Sequence, residues 1–312
     1  MRILFAGTPE TAADALRRLR ERLAGSDREI VAVLTRPDAP LGRKRVLTPS
    51  PVAAAAAEAG LPVIKASRVD DDVRAQLASL DLDVAVVVAY GALVPTAALE
   101  VPRHGWLNLH FSLLPAYRGA APVQRAIIDG CTETGASVFA LRAGLDTGPV
   151  HATVTAPIGP TDTAATMLQT LTASGSDLLA DVLDRLVDGR ARATEQDGEV
   201  TLAPKLSLED GRLDWSASAA SLDARSRGVT PEPGAWTTLD GDRVKLGPVR
   251  IAAGDDVPAL APGAVTARGR DVLVGAGDGA VVLSTVQPAG RRPMPAADWW
   301  RGAQHGQEIR LG

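Results

Sequence analysis

Residues 106–119, Trp-Leu-Asn-Leu-His-Phe-Ser-Leu-Leu-Pro-Ala-Tyr-Arg-Gly, begin as an apolar strand and continue into a loop shaped by proline and glycine. Successive side chains of a strand point to opposite faces, so Asn108 and His110 share one face. The other face carries Leu107 and Leu109. If these leucines pack on a core, an amide and an imidazole are presented to one small volume. Stabilising an oxyanion and moving a proton require such groups, so the stretch predicts an active site.

The flanking sequence predicts an α/β fold. Apolar strands alternate with segments of helical spacing, in the order strand Arg2–Ala6, helix from Ala12 to Leu23, strand Ile30–Thr35, helices Pro51–Ala59 and Asp70–Leu80, and strand Val84–Ala89. This alternation is typical of a doubly wound, mostly parallel, Rossmann-like sheet. Such sheets bind ligands at the carboxyl ends of their strands. We therefore expect one cleft to be formed by four loops, those that follow Ala6, Ala89, Leu109 and Leu141.

A carboxylate is the third candidate in this cleft. Gly144-Leu145-Asp146-Thr147-Gly148 follows a strand-like run from Ala136 to Leu141, and its glycines allow the backbone to turn Asp146 inward. A carboxylate near His110 would orient the ring and favour the imidazolium. Taken singly, Asn108 is better explained as a turn residue, His110 as a core histidine and Asp146 as a loop cap. Their joint appearance at the ends of predicted strands favours catalysis.

These residues carry a family resemblance. The run Asn108-x-His110-x-Ser112-Leu113-Leu114-Pro115-x-x-Arg118-Gly119, followed by Gly144–Gly148, resembles the formyltransferases that use 10-formyltetrahydrofolate. Thr134-Gly135, Phe5–Pro9 and Val286–Gly290 extend the resemblance over essentially the whole chain. It implies transfer of a formyl group from 10-formyltetrahydrofolate to the amino group of methionyl initiator tRNA. Asn108, His110 and Asp146 are then the expected catalytic residues.

The resemblance also implies where the folate binds. Two loops would hold the tetrahydrofolate, through the residues Tyr90, Gly91, Leu93, Ser112, Leu113, Leu114 and Pro115. The first loop could instead be an ordinary strand-to-helix connection, and the second a rigid support for His110. Arg118 is expected to support that loop by hydrogen bonds, or to cap a helix. Gly7-Thr8-Pro9 lacks the later glycines of a dinucleotide fingerprint, which disfavours a nicotinamide cofactor.

A basic loop stands out in an otherwise acidic chain. From Arg36 to Arg45 it has four basic residues and one acidic residue, a net charge of +3, whereas the whole chain has −4. The segment from Arg36 to Pro51 is also long for a connection, and such length is usually functional or disordered. A solvated surface is the ordinary interpretation. In the resembled family the matching loop grips the acceptor stem of initiator tRNA, so Arg43, Lys44 and Arg45 are the expected tRNA contacts.

The second half of the chain no longer alternates strands with helices. One long helix is predicted from Thr161 to Leu186, with a possible interruption near Gly175. After Leu206 short β-like runs follow, separated by glycine, proline and aspartate, at Arg243–Leu246, Ala264–Ala267, Val272–Val274 and Ala280–Leu283. We expect a catalytic domain at 1–206 and a small β-barrel at 207–312. The resemblance implies that this barrel is OB-like and binds tRNA.

Composition narrows the function classes. A single cysteine, Cys131, fits a reducing compartment, and no apolar segment reaches the about 18 residues that a membrane span needs. His104, His151 and His305 have no partner at metal-ligand spacing, so no metal is expected. These features predict a cytoplasmic protein that does not bind membranes. A monomer is the expected state, although no residue pattern points to it.

Three alternatives stay open at this point. The same chemistry could serve another acceptor, such as glycinamide ribonucleotide, an amino sugar nucleotide or water. A nucleotide-dependent oxidoreductase and a noncatalytic folate- or RNA-binding protein are the other two. Two departures from the family pattern bear on the acceptor and the loop: Phe111 stands where many members have glycine, and Gly228–Trp236 replaces a more aromatic proline motif.

Overall fold

The computed structural model describes residues 1–42, 44–254, 256–303 and 309–312. The strands before residue 204 are β1 (Arg2–Gly7), β2 (Glu29–Thr35), β3 (Ala39–Leu41), β4 (Val46–Thr48), β5 (Val63–Lys65), β6 (Val84–Val88), β7 (Trp106–His110), β8 (Arg118–Gly119), β9 (Glu133–Ala140), β10 (Val150–Pro157) and β11 (Leu202–Ala203). The helices of this part are α1 (Glu10–Leu23), α2 (Pro51–Glu58), α3 (Asp71–Ala78), α4 (Thr96–Leu99), α5 (Pro122–Ile128) and α6 (Ala164–Val187).

The rest of the chain is mostly β-structure. After a 3₁₀ turn at Glu209–Gly211, its elements are α7 (Ala219–Gly228), β12 (Ala235–Leu239), β13 (Asp242–Leu246), β14 (Arg250–Ile251), β15 (Val265–Arg268), β16 (Asp271–Gly275), β17 (Ala280–Leu283), β18 (Thr285–Gln287), β19 (Met294–Pro295) and α8 (Ala296–Ala303). None of the helices in the described ranges has the length and apolar character that crossing a membrane requires.

The chain forms two compact units. Unit 1 comprises Met1–Ala120, Thr134–Ala156 and Leu168–Ala203, and unit 2 comprises Ala121–Glu133, Pro157–Met167 and Pro204–Gly312. The last passage of the chain into unit 2, at Pro204, falls close to the expected division between residues 206 and 207. That division itself stays a prediction.

Unit 1 contains the predicted sheet. Its strand order is β10-β9-β7-β6-β1-β2-β5, with β1, β2, β5, β6 and β7 parallel to their neighbours in this group. β6 is buried along its whole length, as a continuous apolar run in the middle of such a sheet should be. The order reverses next to β1, where the chain moves from β5 across to β6. The doubly wound, mostly parallel fold predicted from the sequence is confirmed.

One strand next to β7 runs the other way, and this corrects an expectation. β9 is antiparallel to β7, with His110 opposite Ser137 and Leu107 opposite Ala140. The carboxyl end of β9 therefore lies at the amino end of β7. The expectation that the loop after Leu141 starts at the same sheet edge as the loop after Leu109 was wrong, because it assumed that every strand is parallel.

The long helix is also as predicted. α6 continues through Gly175 without interruption. An added Cβ at Gly175 would lie 2.8 Å from Leu109 Cδ1 and 3.4 Å from the Cβ of Ala136, so the missing side chain is what lets this helix approach the sheet. Dense packing of this kind leaves no room for even one methyl group without a shift of neighbours.

Unit 2 contains two four-stranded antiparallel sheets, in the orders β12-β13-β18-β19 and β14-β17-β16-β15. Inward-facing side chains from both sheets share one core, including Val244 and Leu246 from one sheet and Val274 and Val281 from the other. The β-rich C-terminal domain predicted from the sequence is confirmed.

Candidate active site

Strand β7 positions the central pair of side chains. Leu107 and Leu109 are buried on one face, with 1% and 2% of their surface exposed. Asn108 and His110 therefore share the opposite face, as the alternation predicts. Phe139 lies directly across from Asn108 on β9, and Ser137 lies across from His110. The polar pair thus sits in the middle of a sheet and not in a mobile loop.

The His110 ring is fixed by three contacts. Its Nε2 lies 2.9 Å from the backbone oxygen of Tyr117. A carbonyl oxygen only accepts hydrogen bonds, so Nε2 carries a hydrogen in this arrangement. The ring packs edge to face against Phe139, with centroids 6.3 Å apart. Nδ1 lies 3.8 Å from Asp146 Oδ2, an ion-pair distance that is longer than a hydrogen bond.

Asp146 reaches His110 because its loop folds back over the sheet. An added Cβ at Gly148 would lie 1.7 Å from the Ala140 oxygen, which shows how closely the returning chain passes the end of β9. Asp146 itself has a left-handed backbone, with φ of 51°. Its carboxylate accepts a 2.8 Å hydrogen bond from the Gly119 amide. This hydrogen bond holds the carboxylate toward His110.

The loop of residues 112–115 is ordered by hydroxyl groups. Ser112 Oγ donates to the Ala116 oxygen at 2.6 Å, and Ser137 Oγ donates to the Ser112 oxygen at 2.7 Å. The amide of Leu114 in turn donates to Ser137 Oγ at 3.2 Å. The side chain of Leu113 lies over Gly135, where an added Cβ would be 2.5 Å from it. Ser112 is thus committed to shaping the loop, and the residues after it are half-buried.

Ser137 is a site residue that the sequence analysis missed. It is the one hydroxyl in the apolar run from Ala136 to Ala140, and it lies across from His110. A buried hydroxyl in such a run needs hydrogen-bond partners, so the position of Ser137 in the sequence already indicated a polar contact inside the fold. Its interpretation required the register between β7 and β9, and the sequence alone did not provide that register.

The loop after β6 presents its backbone and not the Tyr90 ring. Tyr90 is 1% exposed, and its hydroxyl donates to the Ala66 oxygen at 2.9 Å. Burial raises the pKa of this hydroxyl above its usual value, and the charge of Arg36 opposes the rise in part. Gly91 is exposed in a left-handed conformation with open space around it, and Leu93 is 87% exposed. The Tyr90 side chain therefore supports this loop from inside the core.

The basic segment contains a hairpin that the sequence did not predict. β3 and β4 pair antiparallel, with Leu41 opposite Val46. Lys44 and Arg45 are exposed near its turn, whereas Arg43 lies outside the described residues. The other two charged side chains of the segment are held by unit 1: Arg36 Nη1 donates to the backbone oxygens of Ser67 and Gly91, and Asp38 forms an ion pair with Lys65 at 2.7 Å.

Of the other three histidines, the structure describes His104 and His151. His104 is exposed, and burial lowers the pKa of His151 below its usual value. His305 lies outside the described residues. Within the described part of the chain, no group of three histidine, cysteine or acidic side chains could hold a metal ion. The expectation of a metal-free enzyme stays a prediction.

Comparisons with known proteins identify the family. Residues 1–183 match the formyl transferase family, and residues 205–304 match the formyl transferase C-terminal domain. The chain therefore belongs to the formyl transferase family. The resemblance inferred from Asn108, His110 and the loop that follows them is confirmed.

Two relatives narrow this assignment. The chain is 58% identical over 302 residues to the methionyl-tRNA formyltransferase of Arthrobacter sp. strain FB24, covering 97% of each chain. It is 59% identical to the methionyl-tRNA formyltransferase of Paenarthrobacter aurescens strain TC1, again covering 97% of each. A solved N-formyltransferase from Helicobacter canadensis, in complex with folinic acid and dTDP-3-aminofucose, has the same fold. It is 15% identical with a TM-score of 0.67, covering 92% of this chain and 98% of the other.

Tyr90→Phe tests the structural role of the buried hydroxyl. At neutral pH we expect a loss of about 1–3 kcal/mol in unfolding free energy, because the Ala66 oxygen is left without its donor. The raised pKa of Tyr90 has a second consequence. Its stabilising contribution is complete below the unfolded pKa of about 10 and is lost as pH rises through the folded value. Urea unfolding at pH 8 and pH 11 should show a smaller alkaline decline in the variant. An equal decline in both proteins would contradict this assignment.

Proposed function

We propose that this protein transfers the formyl group of 10-formyltetrahydrofolate to the amino group of methionyl initiator tRNA. The observation that carries the proposal is the convergence of Asn108, His110 and Asp146 at the middle of the sheet. An amide, an imidazole and a carboxylate in that order can stabilise developing charge and move one proton. The two close relatives are named for the same transfer, over nearly their whole length.

The reaction needs charge stabilisation and a proton path. The neutral amine of the methionyl group attacks the formyl carbon, and the carbonyl oxygen becomes an oxyanion. The Asn108 amide donates a hydrogen bond to that oxygen. The His110 ring, whose Nε2 already donates to the Tyr117 oxygen, donates to it through Nδ1 once the ring is protonated. Collapse of the intermediate breaks the bond between the formyl carbon and N10, and the proton lost by the amine ends on N10. Asp146, at 3.8 Å from Nδ1, stabilises positive charge on His110 while the proton moves.

The formyl donor is expected to bind against the two loops beside this face. 10-Formyltetrahydrofolate supplies the formyl group, and the chain must bind its flat ring system and place N10 near His110. The exposed backbone of Gly91 offers hydrogen-bonding groups, and the exposed Leu93 offers apolar surface. On the other side, Leu113, Leu114 and Pro115 form a half-buried apolar rim held by Ser112 and Ser137.

Two exposed basic surfaces support an RNA acceptor. The hairpin in unit 1 presents Lys44 and Arg45 beside the exposed apolar side chains Leu41, Val46 and Leu47. Unit 2 contains a cavity of about 280 Å³ lined by Arg243, Lys245, Gln287, Pro288, Ala289 and Gly290. Cations that stay solvated are suited to phosphate, and exposed apolar groups beside them can pack against nucleotides. We assign the tRNA contacts to Lys44 and Arg45 of the hairpin, to Arg43, which lies outside the described residues, and to the C-terminal domain.

The proposal also carries a location. Aminoacylated tRNA and reduced folates are held in the cytoplasm, so an enzyme that joins these substrates works there. We propose that it acts as a monomer without a metal ion, because charge stabilisation and the proton path together need only Asn108, His110 and Asp146.

An acceptor competition tests the function directly. The full-length protein is incubated with 10-formyltetrahydrofolate and one acceptor at a time: methionyl initiator tRNA, uncharged tRNA, glycinamide ribonucleotide, an amino sugar nucleotide or buffer alone. Formyl transfer to methionyl initiator tRNA should dominate. Preferential formylation of a free nucleotide, or rapid loss of formyl in buffer, would overturn the proposed acceptor.

Substitutions in the catalytic group test the mechanism. Asn108→Ala, His110→Ala and Asp146→Ala should each lower kcat at least about a hundredfold, the effect expected when one preorganised donor or proton-transfer group is removed. Circular dichroism and urea unfolding establish that each variant is folded, and steady-state kinetics measure the loss. Near-normal turnover in folded His110→Ala would remove this ring from the chemistry.

The basic hairpin generates a separate prediction about salt. Replacing Arg43 and Lys44 together with alanine should weaken tRNA binding and reduce the slope of log K against log salt by about one unit per lost phosphate contact. Folate binding should not change. Titrations with tRNA at several salt concentrations provide the measurement, and Arg103→Ala, which removes a cation paired with Asp81 and Asp83, is the control. An unchanged slope would mean that the hairpin is ordinary solvated surface.

A further inference from the structure

Residues 194–203, here called the strap, run along both loops of the active site. Thr194 forms a bridge with Val150, at the end of the Asp146 loop. At the other end of the strap, Thr201 accepts two hydrogen bonds. Its backbone oxygen accepts from the amide of Arg118 at 2.9 Å, and its Oγ1 accepts from the amide of Tyr117 at 2.8 Å. The strap is therefore fastened to the two segments that contact His110.

Gln196, between these attachment points, joins the two loops through its side chain. Its Nε2 donates to the oxygens of Asp146 and Gly148 at 2.7 and 2.8 Å. Its Oε1 accepts from Nε and Nη2 of Arg118 at 3.1 and 2.6 Å. A guanidinium only donates and backbone oxygens only accept, so the amide has one allowed orientation. All its hydrogen-bonding capacity is used within the protein.

The bonds from Gln196 act where the backbone is strained. Asp146 has φ of 51°, a conformation that costs a residue with a side chain about 1–2 kcal/mol. Two donated hydrogen bonds, on either side of Thr147, hold the turn in that conformation. Gly119 meanwhile holds the carboxylate through its amide. Two adjacent residues therefore restrain Asp146. Arg118 acts on its backbone through Gln196, and Gly119 acts on its carboxylate directly.

We propose that Gln196 is a positioning residue for the reaction, which fixes Asp146 at its distance from His110 without touching substrate. The inference rests on the proposed function for its kinetic test. A carboxylate can stabilise charge on the ring only while it stays close, and misplacement of a catalytic group by about 1 Å can cost about a hundredfold in rate. The structure assigns Arg118 the role of orienting the Gln196 amide.

Two substitutions separate this role from simple packing. Gln196→Ala removes all four hydrogen bonds, whereas Gln196→Glu keeps the side-chain volume and the Arg118 partner and loses the two donated bonds. Both variants should lower kcat by about 10–100-fold, with KM for each substrate changed less than about threefold. The neighbouring Glu195→Gln is the matched control, because among the described residues Glu195 has one ion-pair partner, the exposed Arg142 at 2.9 Å, and such surface pairs contribute little. It should keep wild-type kcat.

A double-mutant cycle tests whether Gln196 works through Asp146. In the Asp146→Ala background, Gln196→Ala should cause no further loss of kcat, because the group that it positions is already absent. An equal loss in both backgrounds, or a rise in KM with kcat unchanged, would overturn the proposal.

Hydrogen exchange measures the positioning without any assumed substrate. Peptides that cover residues 143–149 should exchange faster in Gln196→Ala and Gln196→Glu than in the wild type and Glu195→Gln. Unchanged exchange in both Gln196 variants would overturn the proposal whatever the reaction is. If both Gln196 variants exchange faster than the wild type but the wild type prefers another acceptor, only the proposed function fails. The kinetic cycle is then run with that acceptor.

Discussion

Burial of one face of β7 is the constraint on which the site depends. Leu107 and Leu109 can be removed from water only if the strand keeps its register, and that register places Asn108 and His110 on the other face. Gly175 contributes by allowing α6 to approach Leu109 closely. A slip by one residue would turn both leucines toward the candidate site and place the polar pair against the apolar core. Apolar packing therefore selects the position of the catalytic candidates before any polar contact is made.

The position of the Asp146 carboxylate depends on a loop that folds back and not on strand register. β9 runs antiparallel to β7, so Asp146 comes from a loop that begins at the far end of the sheet and folds back. Such a return requires a close passage at Gly148 and a left-handed residue at Asp146. Backbone strain of this kind persists only where the surroundings over-determine the conformation. Gly119 and Gln196 supply that restraint from two directions.

The packing of β7 and the return of the Asp146 loop explain how far the sequence could predict the structure. Strands with a continuous apolar run, such as β6, and helices with clear spacing, such as α6, are specified locally and were predicted well. The direction of β9 was not, because an apolar run of this length fits a buried strand in either direction. The short strands of the hairpin contain Pro40, which disfavours a strand assignment. Gln196 lies in a segment with no periodicity, and its role depends on partners 78 and 50 residues away.

Formyl transfer and binding of an RNA acceptor require groups of opposite exposure. His110 and Asp146 are buried within unit 1, so their interactions are screened little by salt. The basic residues of the hairpin and of the cavity in unit 2 stay exposed, so if they bind tRNA as proposed, ions compete with phosphate for them. Raising ionic strength should therefore act on capture of the acceptor and leave the chemical step nearly untouched. Because the buried groups and the exposed cations are different residues, acceptor choice can change through exposed residues while the buried arrangement around β7 stays the same.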